Sequence, residues 1–183
     1  MIIGLIVVVV VVGLYVMTTY NGFIKLKNGV EEAFSTMDVY LKKRYDLIPN
    51  IVETVKGYAA HEKETLEKVV AARNMAQGAG TIEEKLAGEN MLQGTLKSLF
   101  AVAENYPDLK ANTNFMDLQN QLKVVEEDIA NARKFYNGVV KQFNIKCESF
   151  PSNLIANIFH FEKQPMFEVD APEERQNVKV SFS

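Results

Sequence analysis

The chain contains few of the residues that cross-link small domains or interrupt helices. Its 183 residues include one cysteine, no tryptophan, five prolines and ten glycines. The single cysteine, Cys147, excludes an intramolecular disulfide framework. Because proline and glycine mark turns, their low number favours long helices over many short strands. Outside the first 24 residues, the sequence also lacks the turn-bounded clusters of valine, isoleucine and threonine that sheets need.

A basic surface is also missing. The formal net charge is −3 and the isoelectric point is about 5.5, so the sequence predicts no nucleic-acid partner. With 48% hydrophobic residues the chain is long enough for one domain with a core of its own.

The motifs of common catalytic sites do not occur. Neither His61 nor His160 follows a glutamate by three residues, as di-iron bundle sites require. The string "HEKET" carries Thr65 where the zinc motif H-E-x-x-H has its second histidine. There is no Walker loop and no G-x-S-x-G elbow, and Glu148 beside Cys147 disfavours a reactive thiolate. We therefore expect no catalytic site, no metal and no cofactor.

What the sequence does contain is a long apolar start. Residues 1–24 carry no charged side chain, and as a helix they would span roughly 36 Å against a hydrocarbon core of about 30 Å. A signal peptide is the alternative, but no basic residue precedes the apolar run and "VMTTYNGF" offers no A-x-A cleavage pattern. We predict an uncleaved transmembrane anchor at 1–24. The flanking basic residues all follow it, which places the N-terminus outside and the remainder in the cytoplasm. They are Lys25, Lys27, Lys42, Lys43 and Arg44.

Beyond the anchor, apolar residues recur at helical spacing. One stripe predicts a first helix that continues from the anchor to about Arg73: Leu26, Val30, Phe34, Met37, Leu41, Ile48, Ile51, Val55, Ala59, Leu66 and Val69. The glycines of "QGAGT" are expected to end it with positive φ, and Thr81 with Glu84 forms a predicted capping box for a second helix. The second stripe ends at Pro107: Leu86, Leu92, Leu96, Leu99, Ala103 and Tyr106.

The most regular pattern predicts a third helix with a coiled-coil-like seam, with Asn114 as its N-cap. The seam is Phe115, Leu118, Leu122, Val125, Ile129, Ala132, Tyr136, Val139 and Phe143. Pro151 is expected to open a short fourth helix. The polar segment 168–183 is expected to be a mobile tail, or alternatively to pair as a strand at "NVKVSF". The predicted fold is therefore all-α: a single N-terminal transmembrane helix continuing into an elongated antiparallel up-and-down bundle of three long helices plus a short fourth, at 25–167.

Charged residues inside these helices suggest interhelical ion pairs that fix register. On one continuous helix Arg44, Glu62 and Arg73 would share a face, and Glu126 and Arg133 border the third helix's seam. The alternative is that these are solvated faces. Pro49 interrupts the first helix's hydrogen bonding, but the apolar stripe keeps phase across it, so we predict a bend in one helix rather than a new helix capped by Asp46.

The strings "YN" at Tyr20–Asn21, "LKKRYDLIPNIVETVKGYAAHE", "AR" at Ala72–Arg73, "ENYPDLKANTNFMDLQNQL", "E..IANARKFYN" at 126–137 and "FPSNLIA" closely resemble the LemA family of bacterial membrane proteins. The resemblance covers the chain from the anchor to about Phe167. It implies a short extracytoplasmic N-terminus, one membrane helix and a cytoplasmic antiparallel bundle. It also implies a role in membrane or envelope organisation, without an established enzymatic activity or cofactor.

The resulting hypothesis is a non-enzymatic scaffold in the cytoplasmic membrane that forms homo-oligomers. A first helix from Gly22 to Arg73 would be roughly 78 Å long, more than a shorter second helix covers, so neighbouring copies would cover the rest. The C-terminal apolar side chains are candidate assembly contacts or, alternatively, cover the bundle's own core: Phe150, Leu154, Ile158, Phe159, Phe161 and Phe167. The alternative function is a membrane-tethered adaptor that binds a soluble protein partner through a bundle groove.

Overall fold

The first helix, α1, changes character along its length. In the computed structural model, which describes residues 1–167, it runs Ile2–Tyr58 without interruption. Its most apolar 18-residue window is only 6% buried, and among the described residues α1 is the one helix long and apolar enough to cross a membrane. Pro49 lies inside α1, which confirms the prediction of one helix across the proline. The predicted tail at 168–183 lies outside the described residues.

Five further helices follow within residues 59–167. They are α2 (Lys63–Gln77), α3 (Ile82–Ala103), α4 (Pro107–Lys110), α5 (Thr113–Glu148) and α6 (Ser152–Ile158). No strand occurs in this described part of the chain, so the all-α prediction is confirmed. The expected count of three long helices and a short fourth is wrong. Residue Pro107 does not simply end a helix but begins α4, where its missing N–H costs no hydrogen bond.

The first predicted helix breaks before Arg73. It ends at Tyr58, and the tight hydrogen bond from Glu62 N to Ala59 O turns the chain before α2 begins. The apolar stripe misled the prediction because α2 continues it in phase after the turn. Folding back buries Leu66, Val69, Ala72 and Ala76 inside the chain's own bundle, which a straight helix would leave exposed. The geometric case for neighbouring copies covering a 52-residue helix therefore falls.

The chain divides into two compact units, and α1 and α5 contribute to both. The first unit consists of Met1–Val39 and Asp128–Met166. In it α1 and α5 run antiparallel, since Phe23 packs edge-on against Phe143 and Phe34 against Tyr136. After α6 the chain is held to α5 by two hydrogen bonds between the Asn144 amide and the backbone of Gln164.

The second unit, Tyr40–Glu127 with Phe167, is a four-helix bundle. Hydrogen bonds from Tyr45 to Glu89 and from Tyr106 to Glu62 share a separation of 44 residues, so α3 runs parallel to α1. The pairs Arg73–Tyr45 and Asn112–Tyr58 set α2 and α5 antiparallel to α1. The order is therefore up-down-up-down.

Local signals account for most helix ends. The Thr81–Glu84 capping box is present as predicted. Gly78 is the C-cap of α2, as expected for a glycine of "QGAGT", but its backbone is in a helical conformation. No glycine among the described residues has positive φ, so the predicted positive φ is wrong. Position 88 is a glycine because a Cβ there would lie 2.7 Å from Ala76 Cα, where α2 and α3 pack closely.

The start and the seam of α5 each differ slightly from the prediction. The Asn112 side chain, not Asn114, accepts the hydrogen bond from Phe115 N and caps the helix. Val140 is fully buried where Val139 was expected, because a 3.6-residue helix drifts relative to a strict heptad.

Candidate functional site

The centre of the second unit is a buried ion cluster. Arg44 is 0% exposed and lies on α1, where it pairs through Nη2 with Glu89 of α3, which is also 0% exposed. Through Nη1 it donates to both carboxylate oxygens of Glu126 on α5, at 2.9 and 3.2 Å. The Tyr45 hydroxyl donates a short hydrogen bond to the same Glu89. One guanidinium thus connects three helices, and its planar fork suits it to two carboxylates at once.

A second arginine joins the cluster through the backbone. Pro49 has no N–H, so the carbonyl of Tyr45, four residues earlier, has no helical donor. Arg73 Nε of α2 donates to that carbonyl at 2.8 Å. The proline therefore exposes an acceptor on α1, and α2 supplies the donor. All four helices of the unit meet in this layer.

The electrostatics of the layer favour specificity over net stabilisation. Arg44 faces two carboxylates, Glu89 and Glu126, whereas Arg73 donates to the backbone carbonyl of Tyr45. Removing the Arg44–Glu89 pair from water carries a desolvation penalty that their attraction only partly offsets. A shifted register, by contrast, would leave one of these charges buried without its partner. The cluster therefore penalises misaligned packing.

The other two residues predicted for this network lie elsewhere. Glu62 is in the turn before α2 and accepts a 2.9 Å hydrogen bond from the Tyr106 hydroxyl, an interaction that raises the pKa of Tyr106. Arg133 lies on α5 in the first unit. Arg44 and Arg73 meet because α2 folds back, not because they share one helix face.

Two members of the cluster, Tyr45 and Glu89, were missed by the sequence reasoning. A signal for both existed in the apolar stripes. The step from Leu41 to Ile48 skips one helical turn, which Arg44 and Tyr45 fill, and the step from Leu86 to Leu92 skips the turn that Glu89 fills. A charged residue in a gap of an otherwise regular stripe faces the core, and must then be paired.

A groove of about 610 Å³ lies on the same unit between the C-terminal part of α1 and α2. Its lining is mixed. Apolar side chains such as Val52, Leu66 and Val70 alternate with Glu53, Lys56, Lys63 and Glu67. Hydrophobic grooves with charged rims are the kind that accept an amphipathic helix.

The C-terminal apolar residues divide into two groups. Phe161 stacks on Phe23 with centroids 4.7 Å apart, and Phe167 is buried. The side chains of these two residues pack against the chain's own core, which was the alternative to assembly contacts. The other four, Phe150, Leu154, Ile158 and Phe159, are exposed.

The reactive groups near this segment are not set up for catalysis. Burial, and then the charge of Glu148, raise the pKa of the Cys147 thiol, which lowers its thiolate fraction at neutral pH. Burial lowers the pKa of Lys146, whose ammonium lies 4.9 Å from the centroid of the Phe23 ring. Within residues 1–167, no group of three or more histidine, cysteine, aspartate or glutamate side chains is arranged to hold a metal ion.

Comparison with known proteins identifies one family. The model of the LemA family matches residues 33–182. The Protein LemA of Metamycoplasma hominis is 26% identical over 74% of this chain and 63% of its own length. Magnetosome protein MamQ 2 of Paramagnetospirillum magneticum is 25% identical over 81% of this chain and 64% of its own length. The chain thus spans less than two thirds of the length of these relatives. With the apolar start of α1, the match indicates a membrane-associated protein.

Proposed function

This chain belongs to the LemA family, and from that premise we propose that it is a non-enzymatic helical scaffold anchored in the bacterial cytoplasmic membrane. In this proposal residues 1–24 are the anchor, and the helical part that follows, to residue 167, organises the membrane or envelope by self-association. The scaffold needs no cofactor.

The observation that carries the proposal lies in the first unit. There α1 passes without a break from an exposed apolar segment into a segment that packs against α5 through Phe23 and Phe143. No flexible linker separates the apolar segment from the packed helix. A helix that is exposed and apolar at one end and packed at the other fits an anchor that positions the domain it carries.

The orientation follows the distribution of basic residues. The first charged side chains after the apolar segment, Lys25 and Lys27, are both exposed, and cytoplasmic flanks of membrane helices are enriched in lysine and arginine. We place the helical part in the cytoplasm.

Within the scaffold, the ion cluster has the role of fixing helix register. Arg44, Glu126 and Arg73, with the carbonyl exposed by Pro49, act in one layer. Glu62 would set the end of the bundle through Tyr106, and Arg133 would act in the first unit.

Self-association gains support from the shared membrane. Anchors in one bilayer orient all copies the same way and raise their effective concentration, which favours closed rings or arrays. Exposed large apolar residues on the packed part of the first unit, Val39 and Ile145, offer contact points.

The test is the mass of the full chain in membrane. The protein should be reconstituted at low density in lipid nanodiscs of several diameters and measured by light scattering or mass photometry. We expect a defined oligomer at all disc sizes large enough to hold it. A monomer at every size would overturn self-association and leave only the anchor.

The groove between α1 and α2 supports a second candidate function, an adaptor that binds an amphipathic helix of a soluble partner. A photo-crosslinking residue in place of Val70, in the groove, would be compared with one in place of Val124, exposed on α5. The adaptor function predicts one stoichiometric product that depends on position 70. Equal labelling from both positions would exclude it.

A further inference from the structure

Helix α6 presents two unlike faces. Ile155 and Ala156 are buried, whereas Leu154 and Ile158, four residues apart, are 52% and 65% exposed. Phe150, in the turn just before the helix, is 80% exposed. Residues at this spacing lie along one side of a helix. The helix itself, "SNLIANI", contains no charged residue. An apolar stripe on an uncharged element, open to solvent, indicates a surface that some partner covers.

The position of α6 in the first unit identifies that partner. Phe159, directly after α6, packs on Tyr20 with ring centroids 4.8 Å apart, and Phe161 lies 5.7 Å from the same ring. Tyr20 follows Met17, the last exposed large apolar residue of the N-terminal segment, by three residues, or about 4.5 Å along the helix. The first charged residue of α1 is Lys25. Tyr20 and α6 are therefore at the level where the apolar segment gives way to charge.

That level corresponds to the boundary of a bilayer when α1 spans it. Aromatic rings are enriched at this boundary, and interfacial helices sink roughly 5–10 Å into it with their apolar side down. Complementary charges steer a protein partner to its site and add specificity, and α6 carries none. Lipid needs only apolar side chains at the correct depth.

We propose that α6 is an interfacial helix, whose stripe of Leu154 and Ile158, together with Phe150 in the preceding turn, inserts into the cytoplasmic leaflet beside the membrane-spanning part of α1. The ligand is the lipid surface itself, at the junction of headgroups and acyl chains. The inference rests on the proposed membrane anchor. It gives the first unit two contacts with the bilayer, which restrict rotation of α1 about its own axis in a way that a lone spanning helix does not.

The test uses the full chain with Cys147→Ser, reconstituted into vesicles of phosphatidylcholine and phosphatidylglycerol. A polarity-sensitive fluorophore is attached to a new cysteine at one of three positions: Val10→Cys in the apolar segment, Ile158→Cys on the stripe, and Phe135→Cys as a matched control. Phe135 is as exposed as Ile158 and belongs to the same unit, but it lies one residue from Tyr136, which packs on Phe34, about 21 Å along α1 from Tyr20. Lipids that carry a nitroxide near the headgroup or deep in the acyl chain serve as quenchers.

The expected result is a blue-shifted emission at position 158 that headgroup-proximal nitroxide quenches most, and no quenching at position 135. Position 10 should be quenched most by the deep nitroxide. A label in place of Leu154 repeats the measurement one turn away in case the first label disturbs α6.

Two outcomes overturn the inference while the anchor stands. In one, position 10 is quenched and positions 158 and 154 behave as position 135 does. In the other, the label at position 158 is blue-shifted but unquenched by lipid, and the unlabelled Ile158→Cys variant forms disulfide cross-links between copies under an added oxidant, which assigns the stripe to a second copy of the chain. Absence of quenching at position 10 would overturn the anchor, and the inference with it.

Discussion

The two units of the molecule hold their helices together by different chemistry. The first unit packs aromatic rings, with Phe23, Phe143 and Phe161 in mutual contact. The second unit buries an arginine between Glu89 and Glu126. Both units use the same two long helices, α1 and α5, but the second unit adds α2 and α3 and the first adds α6.

The difference determines what each unit tolerates. Ring contacts are stabilising over a range of angles and distances, so an aromatic core accepts small shifts of its helices. A buried guanidinium requires each carboxylate within hydrogen-bond distance, so a charged layer does not accept small shifts of its helices. We therefore expect the aromatic unit to tolerate small helix shifts better than the unit with the ion cluster.

The largest expected effect comes from removing Arg44. Arg44→Met leaves Glu89 buried without its cation, and we expect a loss of about 3–5 kcal/mol in the free energy of unfolding. The measurement is denaturant unfolding of the full chain in detergent, followed by circular dichroism. The control is Lys42→Met, which breaks only the exposed ion pair with Asp46 and should change the free energy of unfolding far less. Equal effects of the two changes would refute the buried cluster.

A smaller effect tests the link between Pro49 and Arg73. Arg73→Met removes the donor to the Tyr45 carbonyl and should cost about 2 kcal/mol, the range of hydrogen bonds from charged groups. Pro49→Ala restores an N–H at position 49, which then donates to that carbonyl, so Arg73→Met should cost less than half as much in this background. A double-mutant cycle of unfolding free energies measures the coupling. Strict additivity would show that the proline and the arginine act independently.

The smallest effect is expected in the aromatic unit. Phe23 is fully buried, yet Phe23→Leu keeps most of the apolar volume and should cost only about 1 kcal/mol. The free energy of unfolding is measured under the same conditions. The matched control is Phe135→Leu, on the exposed side of α5, which should change the free energy of unfolding by about zero. A loss as large as that of Arg44→Met would remove the distinction between a tolerant and an exacting unit.

The success of the sequence reasoning depended on whether a signal was local. The capping box of Thr81 and Glu84, the continuity of α1 across Pro49 and the start of α6 after Pro151 depend on neighbours a few residues apart, and the structure contains each of them. The end of α1 at Tyr58 was missed, because α2 keeps the apolar phase and only the packing of α2 on α3 reveals the turn. Glu89 was missed for a related reason: its partner is 45 residues earlier in the chain.

Composition and periodicity by themselves determined that the protein is helical and that its start is apolar enough for a membrane. These properties follow from short-range hydrogen bonding and from the spacing of side chains along one helix. Only the tertiary structure decided that α2 folds back, that Arg73 donates to the Tyr45 carbonyl four residues before Pro49, and that Phe159, directly after α6, packs on Tyr20. Each of these depends on which distant segments bury one another, and that choice is made by the whole core rather than by any local stretch of sequence.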